Sequence, residues 1–181
     1  MRVLILLLAV GLLATAQSGG ALPASLALIA QFAHSSGPHH DVAISDADAD
    51  AYFAGAGAAR LPVGVSNLHL AAQSGVISGM ARVDFSKLPR APLIDPLLIL
   101  FSGVHQVEAD ARVDSAQAPA AQLTVTTVKL DGDTIPNSLI DAALAVLVQP
   151  QHPNIGRTFQ VPLPPHATSA TVQDGEVVIH Y

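Results

Sequence analysis

The chain has 181 residues, half of them apolar, with 5 Phe, 2 Tyr, no Trp and only 12% charged residues, a length and an aliphatic composition that suit one globular domain. Eight Lys and Arg against 14 Asp and Glu leave a net charge of -6, so the clustered basic footprint that a phosphate backbone demands is missing and nucleic acid is not an expected partner. The absence of cysteine excludes disulfides, thiolate metal sites, a cysteine nucleophile and an acylated cysteine anchor.

Arg2, the apolar residues 3–13 and the small residues Ala14, Thr15 and Ala16 have the form of a signal peptide cleaved after Ala16. The apolar run is too short to span a bilayer. Loss of Arg2 would leave 7 basic against 14 acidic residues, a net charge of -7, on an exported protein, periplasmic or extracellular. Residues 17–43 read as a flexible leader with one apolar patch at 21–32, followed by His34, His39 and His40. Three neutral imidazoles are a usable ligand set for a borderline metal, but Gly37-Pro38 denies them a rigid support, and a solvated linker is the expectation. His69, His105, His152, His166 and His180 show no metal-ligand spacing, so neither metal nor cofactor is expected.

A single folded domain is expected over residues 44–181. Ser45 followed three residues later by Asp48 forms a capping box, and Asp46, Asp48 and Asp50 suit the positive end of a helix dipole. The helix predicted over residues 46–58 places Ala49, Tyr52, Phe53 and Ala56 on one face, and Pro62 ends it. From Val63 the period falls to two, with Val63 and Val65 offset at Asn67 from Leu68 and Leu70, which predicts a bulged strand. Gln73-Ser74-Gly75 turns the chain into a second strand with Ile77, Gly79, Ala81, Val83 and Phe85 on one side. A second antiparallel pair follows, Val107, Ala109, Ala111 and Val113 in one strand and Leu123, Val125, Thr127, Val128 and Leu130 in the next. Each hairpin has one oily side, which wants a single covering layer.

Two apolar segments supply that layer. In residues 92–101, Asp95 caps and Pro96 opens a short helix near 96–101, with Leu97, Leu98, Ile99, Leu100 and Phe101 pointing all round it before Gly103. Such a segment is either wholly buried or touches lipid over part of its circumference, which would make 97–101 a peripheral membrane contact. Residues 135–148, opened by Pro136, predict a long helix whose Leu139, Ile140, Ala143, Leu144, Leu147 and Val148 form a broad apolar face. Phe159, Val161 and Leu163 then alternate as a strand, and Asp174-Gly175 sits at the turn of a closing hairpin.

Catalytic signatures are missing: there is no Gly-x-Ser-x-Gly elbow, no His-Glu-x-x-His helix and no phosphate-cradling glycine loop. Asp131-Gly132-Asp133 lacks the later glutamate of a calcium loop and reads as a hydrophilic turn. Asp46, Asp48 and Asp50 fan around their helix and do not converge on one ion. An enzyme is not expected.

Taken together, the order of elements and three stretches resemble bacterial secreted TULIP-like (tubular lipid-binding) domains, in particular small periplasmic phospholipid-binding proteins of actinobacteria. The stretches are residues 44–52, with the acidic helix start leading to Tyr52; residues 125–140, with a strand, a glycine turn and the helix start Ile135-Pro136-Asn137-Ser138-Leu139; and the strand 159–164 with the closing hairpin 172–179. The resemblance implies an α+β fold, a curved antiparallel β-sheet of six to seven strands wrapped around one long helix, with acyl chains of a phospholipid or other lipid between them. The implied lining is Leu139, Ile140, Ala143, Leu144, Leu147 and Val148 with Tyr52, Phe53, Leu97, Leu98, Leu100 and Phe101. Lys87 and Arg90, between Phe85 and the segment at 97–101, are the candidates to meet a headgroup. Burying ten methylenes gains about 8 kcal/mol gross against an association cost of ~4 kcal/mol or more, so binding of micromolar strength or weaker is expected. The alternative is an exported structural or interaction module whose core is filled by its own side chains.

Overall fold

The structure, a computed structural model, describes residues 40–87, 103–147 and 156–181. Alternating apolar and polar residues drive most of the described residues into nine strands of one antiparallel sheet. The strands are β1 (Asp41–Ser45), β2 (Val65–Gln73), β3 (Val76–Asp84), β4 (Val104–Gln117), β5 (Ala120–Leu130), the short β6 (Asp133–Thr134), β7 (Thr158–Pro162), β8 (Ser169–Gln173) and β9 (Glu176–His180). Among the described residues two α-helices accompany them, α1 (Asp46–Ala54) and α2 (Asn137–Leu147). The expected α+β class with an antiparallel sheet is what the chain forms.

The hairpins β2–β3, β4–β5 and β8–β9 stand where the period-two pattern and the turn residues put them. Ser74 and Gly75, with φ of 22° and 85°, and Gly175, with φ of 82°, supply the positive backbone angles that tight hairpin turns need. The register shift between Ser66 and His69 falls at Asn67, φ 51°, the expected bulge. Strand β4 is the spine. It pairs with β3 along Val104 to Arg112, with β5 on its other edge, and through Gln117 with Ser169 of β8. Two further register shifts, at Asp110/Ala111 and Val113/Ser115, bend the strand where it changes partner.

Three expectations need correction. Residues 41–43 do not belong to a leader: they pair with β9, Asp41 opposite His180 and Val42 opposite Ile179, and with β6 they bring the strand count from seven to nine. Helix α1 ends at Ala54, not at 58, because Gly55 caps it and Gly57 donates its N–H to the Tyr52 carbonyl at 2.8 Å, folding the chain back before Pro62 is reached. Among the described residues no single long helix stands at the centre of a wrapped sheet. The described part of α2 has 11 residues and covers one region, while α1 covers another. The predicted helix at 96–101 lies outside the described residues.

Ser45 does cap α1 as the sequence predicts. Its Oγ accepts from the Asp48 N–H at 3.1 Å, and the Asp48 carboxylate accepts from the Ser45 N–H at 3.2 Å. Asp46 and Asp50, one helical turn apart, reach the outer edge of β2. There Asp46 Oδ1 accepts from the Ala72 N–H at 2.9 Å and Asp50 Oδ1 from the Leu70 N–H at 3.2 Å. A turn of helix rises ~5.4 Å and two strand residues span ~6.7 Å, close enough for the match. The carboxylates thus occupy edge donors that would otherwise invite another strand.

Candidate functional site

All the buried apolar side chains of β2 to β5 and β7 point to one face of the sheet, and that face is the candidate site. On it, α2 sets Ile140 and Leu144 against Ala111, Ala121, Leu123, Val125, Phe159 and Val161. Helix α1 sets Tyr52 and Phe53, rings 5.1 Å apart and edge to face, against Leu68, Ala81, Val83 and Val107. Leu70 and Val128 are half-buried and touch both groups, so the two patches form one apolar surface with a strip between the helices. A third group, Val42, Ile44, Ala167 and Ile179, joins it through Leu163.

The predicted lining residues divide under this geometry. Ile140 and Leu144 are 5% and 2% exposed, and Tyr52 and Phe53 are also buried; each pair packs into its own region, and the two are not gathered into one groove. Leu139, expected on the apolar face, is 47% exposed, because a helix that sits on one side of a sheet leaves the flank of a broad apolar stripe outside. Of Leu97, Leu98, Leu100, Phe101 and Val148, and of the side chains of Ala143 and Leu147, the position lies outside the described residues.

Of the two headgroup candidates, Arg90 is likewise outside the described residues. Lys87 is 65% exposed and its Nζ lies 3.0 Å from Asp84 Oδ2. Hydrogen bonds from Ser86 and from Lys87 hold the Asp84 carboxyl below its ordinary value, so this lysine already has an anionic neighbour. At the same end of the sheet, Phe85 stacks edge to face on His105 at 5.6 Å, and His105 Nδ1 meets Asp131 Oδ2 at 2.5 Å. That bond, with the Gln106 N–H, holds the Asp131 carboxyl below its usual value. The turn Asp131-Gly132, with φ of 50° and 91°, is therefore a locked β5–β6 turn and not an ion site. Among the described residues no group of three or more His, Asp or Glu is placed to hold a metal, and no helix is long and apolar enough to cross a membrane.

An open cleft of about 510 Å³ lies where the β2–β3 and β8–β9 turns meet, lined by Asp46, Ala72, Gln73, Ser74, Asp174 and Gly175 among others. Its polar groups bind one another. Asp174 Oδ1 accepts from the Ser74 N–H at 2.9 Å and from Ser74 Oγ at 2.8 Å, Gly175 N–H donates to Ala72 O at 2.8 Å, and Gly75 N–H donates to Val172 O at 3.1 Å. This is a junction between hairpins, and no residue of α2 lines it. Sequence reasoning missed it because each turn, taken alone, is complete.

Comparison with known protein families, with curated proteins and with solved structures gives no match.

Proposed function

We propose that this protein is an exported, non-enzymatic lipid-binding protein that holds acyl chains against the apolar face of its sheet, in envelope lipid transport or maintenance. The observation that carries this reading is the continuity of that face: Leu70 and Val128, half-buried, join the α1 and α2 patches into one apolar surface. A lining of Ala, Val and Leu with few aromatics favours an unspecific acyl contact over recognition of one ring or headgroup. The resemblance to tubular lipid-binding domains points the same way. The strip between the helices, rather than the buried Ile140 and Leu144, is the place for the chain to lie.

A second reading is favoured by one observation. Ile140 and Leu144 are packed among the chain's own side chains, as in an exported interaction module with a self-filled core. Native mass spectrometry of protein purified from cells separates the two. The lipid reading expects co-purified lipid in the native protein and its loss in Val128→Trp, which fills the strip. A lipid-free native protein would leave the interaction module standing.

A further inference from the structure

Three histidines meet an aspartate through Nδ1: His69 with Asp50 at 3.0 Å, His105 with Asp131 at 2.5 Å and His180 with Asp41 at 2.7 Å. At His180 the second ring nitrogen is engaged too, Nε2 lying 2.9 Å from Thr171 Oγ1. The row crosses three adjoining strands. Asp41 on β1 is the register partner of His180 on β9, and Thr171 on β8 sits diagonally across from it, its own partner being Val178. Side chains alternate across a strand, so all three stand on the face opposite Val42 and Ile179, which are buried in the core. There they are accessible: the side chains of Asp41 and His180 are 66% and 30% exposed, and Thr171 is exposed.

Donor and acceptor chemistry orders this row. An ionised carboxylate only accepts, so in the neutral ring Nδ1 carries the proton and Nε2 keeps a lone pair. The Thr171 hydroxyl is then the donor to Nε2. Hydroxyl, imidazole base and orienting carboxylate stand in the relation that activates an oxygen nucleophile. Ser169 and Gln173 share Thr171's side of β8, two residues away on either flank.

We propose that Thr171, activated by His180 and Asp41, is an acyl acceptor that takes the acyl group of an activated carboxylic ester. Thr171 Oγ bonds to the ester carbonyl carbon as its proton passes to His180 Nε2, and Asp41 stabilises the imidazolium. Collapse of the tetrahedral intermediate breaks the bond to the leaving oxygen, which takes that proton from Nε2. The products are acyl-Thr171 and an alcohol, with no oxidant or reductant involved. This goes beyond lipid holding and does not rest on it, since the relay lies on the other face of the sheet.

The test incubates the full chain with p-nitrophenyl acetate at neutral pH and follows intact mass and peptide maps. One acetyl group is expected on the peptide carrying Thr171. Thr171→Val should abolish it, Thr171→Ser should restore it, and Asp41→Asn should slow it by ~10²-fold or more. The rescue by serine separates lost chemistry from lost folding. Acetylation of Thr171→Val at the native rate, label confined to lysines or the amino terminus, or an Asp41→Asn variant that reacts as fast as the native protein would each overturn the proposal.

Discussion

At the scale of single residues, two glycines that look alike in the sequence have opposite roles. Gly57 has ordinary helical angles, but a Cβ there would fall 2.5 Å from the Tyr52 ring. Gly57→Ala should therefore force the ring off its seat and cost about 1–3 kcal/mol in urea melts, the range for overpacking. Gly79, on a strand, would bring its Cβ 3.4 Å from a Leu70 methyl, an ordinary contact. Gly79→Ala should be neutral or stabilising by up to ~1 kcal/mol, since glycine weakens a strand interior. The surface carboxyls give the pH response. Asp131 is held below its usual value first by the bond from His105, Asp84 by those from Ser86 and Lys87, and Asp114 by those from Thr124 and Arg112. A carboxyl lowered in the folded state adds stability above its unfolded value of ~3.9 and loses it as pH falls through the lower folded one. Melting temperature should thus drop below about pH 4, and less steeply in Asp131→Asn; an unchanged acid limb in that variant would remove Asp131 from the account.

At the scale of elements, α1 acts as a guard for the edge of β2. Removing both Asp46 and Asp50 strips the Leu70 and Ala72 N–H groups of their acceptors, which should cost about 1.5–3 kcal/mol for each bond to a charged group and leave a strand edge able to pair with another molecule. Light scattering of the Asp46→Ala/Asp50→Ala variant should show stronger concentration-dependent association than the native chain. This role was not legible in the sequence: the spacing of the aspartates shows that they fan around a helix, but not that a strand edge lies alongside. Period and turn chemistry did mark the hairpins, the bulge at Asn67 and the capping box at Ser45, because these are set within a few residues. The pattern in β1 was hidden because Asp41 to Ser45 is only five residues long and follows a run of His, Gly and Pro. Helix α2 was legible as a helix, but which of its apolar residues would be covered was not. That depends on which flank of its stripe the sheet covers, and Leu139 was left outside.

At the scale of the whole molecule, the relay of Asp41, His180 and Thr171 shows what no local pattern can reveal, since Asp41 and His180 are 139 positions apart. The meeting of the two turns is of the same kind. The β2–β3 and β8–β9 hairpins touch end to end through Ser74 and Asp174, and Val113 N–H donates to Gly75 O at 2.8 Å, tying β4 into the joint. Asp174→Ala should loosen this joint without unfolding either hairpin. Hydrogen exchange would show it as faster exchange at the Ser74, Gly75 and Val113 amides, with Val83 and Val125 keeping native protection; uniform acceleration throughout would mean that the joint is not a separate unit.

The pairing of β1 with β9 has a consequence for the order of assembly. The earliest strand in the sheet waits for the latest, and the first N–H of α1 waits as well, since Asp46 donates to Gly175 O at 2.9 Å. Contacts this remote in sequence form slowly and only after the intervening chain has been made. In a polypeptide wired in this way β1 and the start of α1 stay without their partners until β9 has been made, while the β2–β3 and β4–β5 hairpins are already free to close.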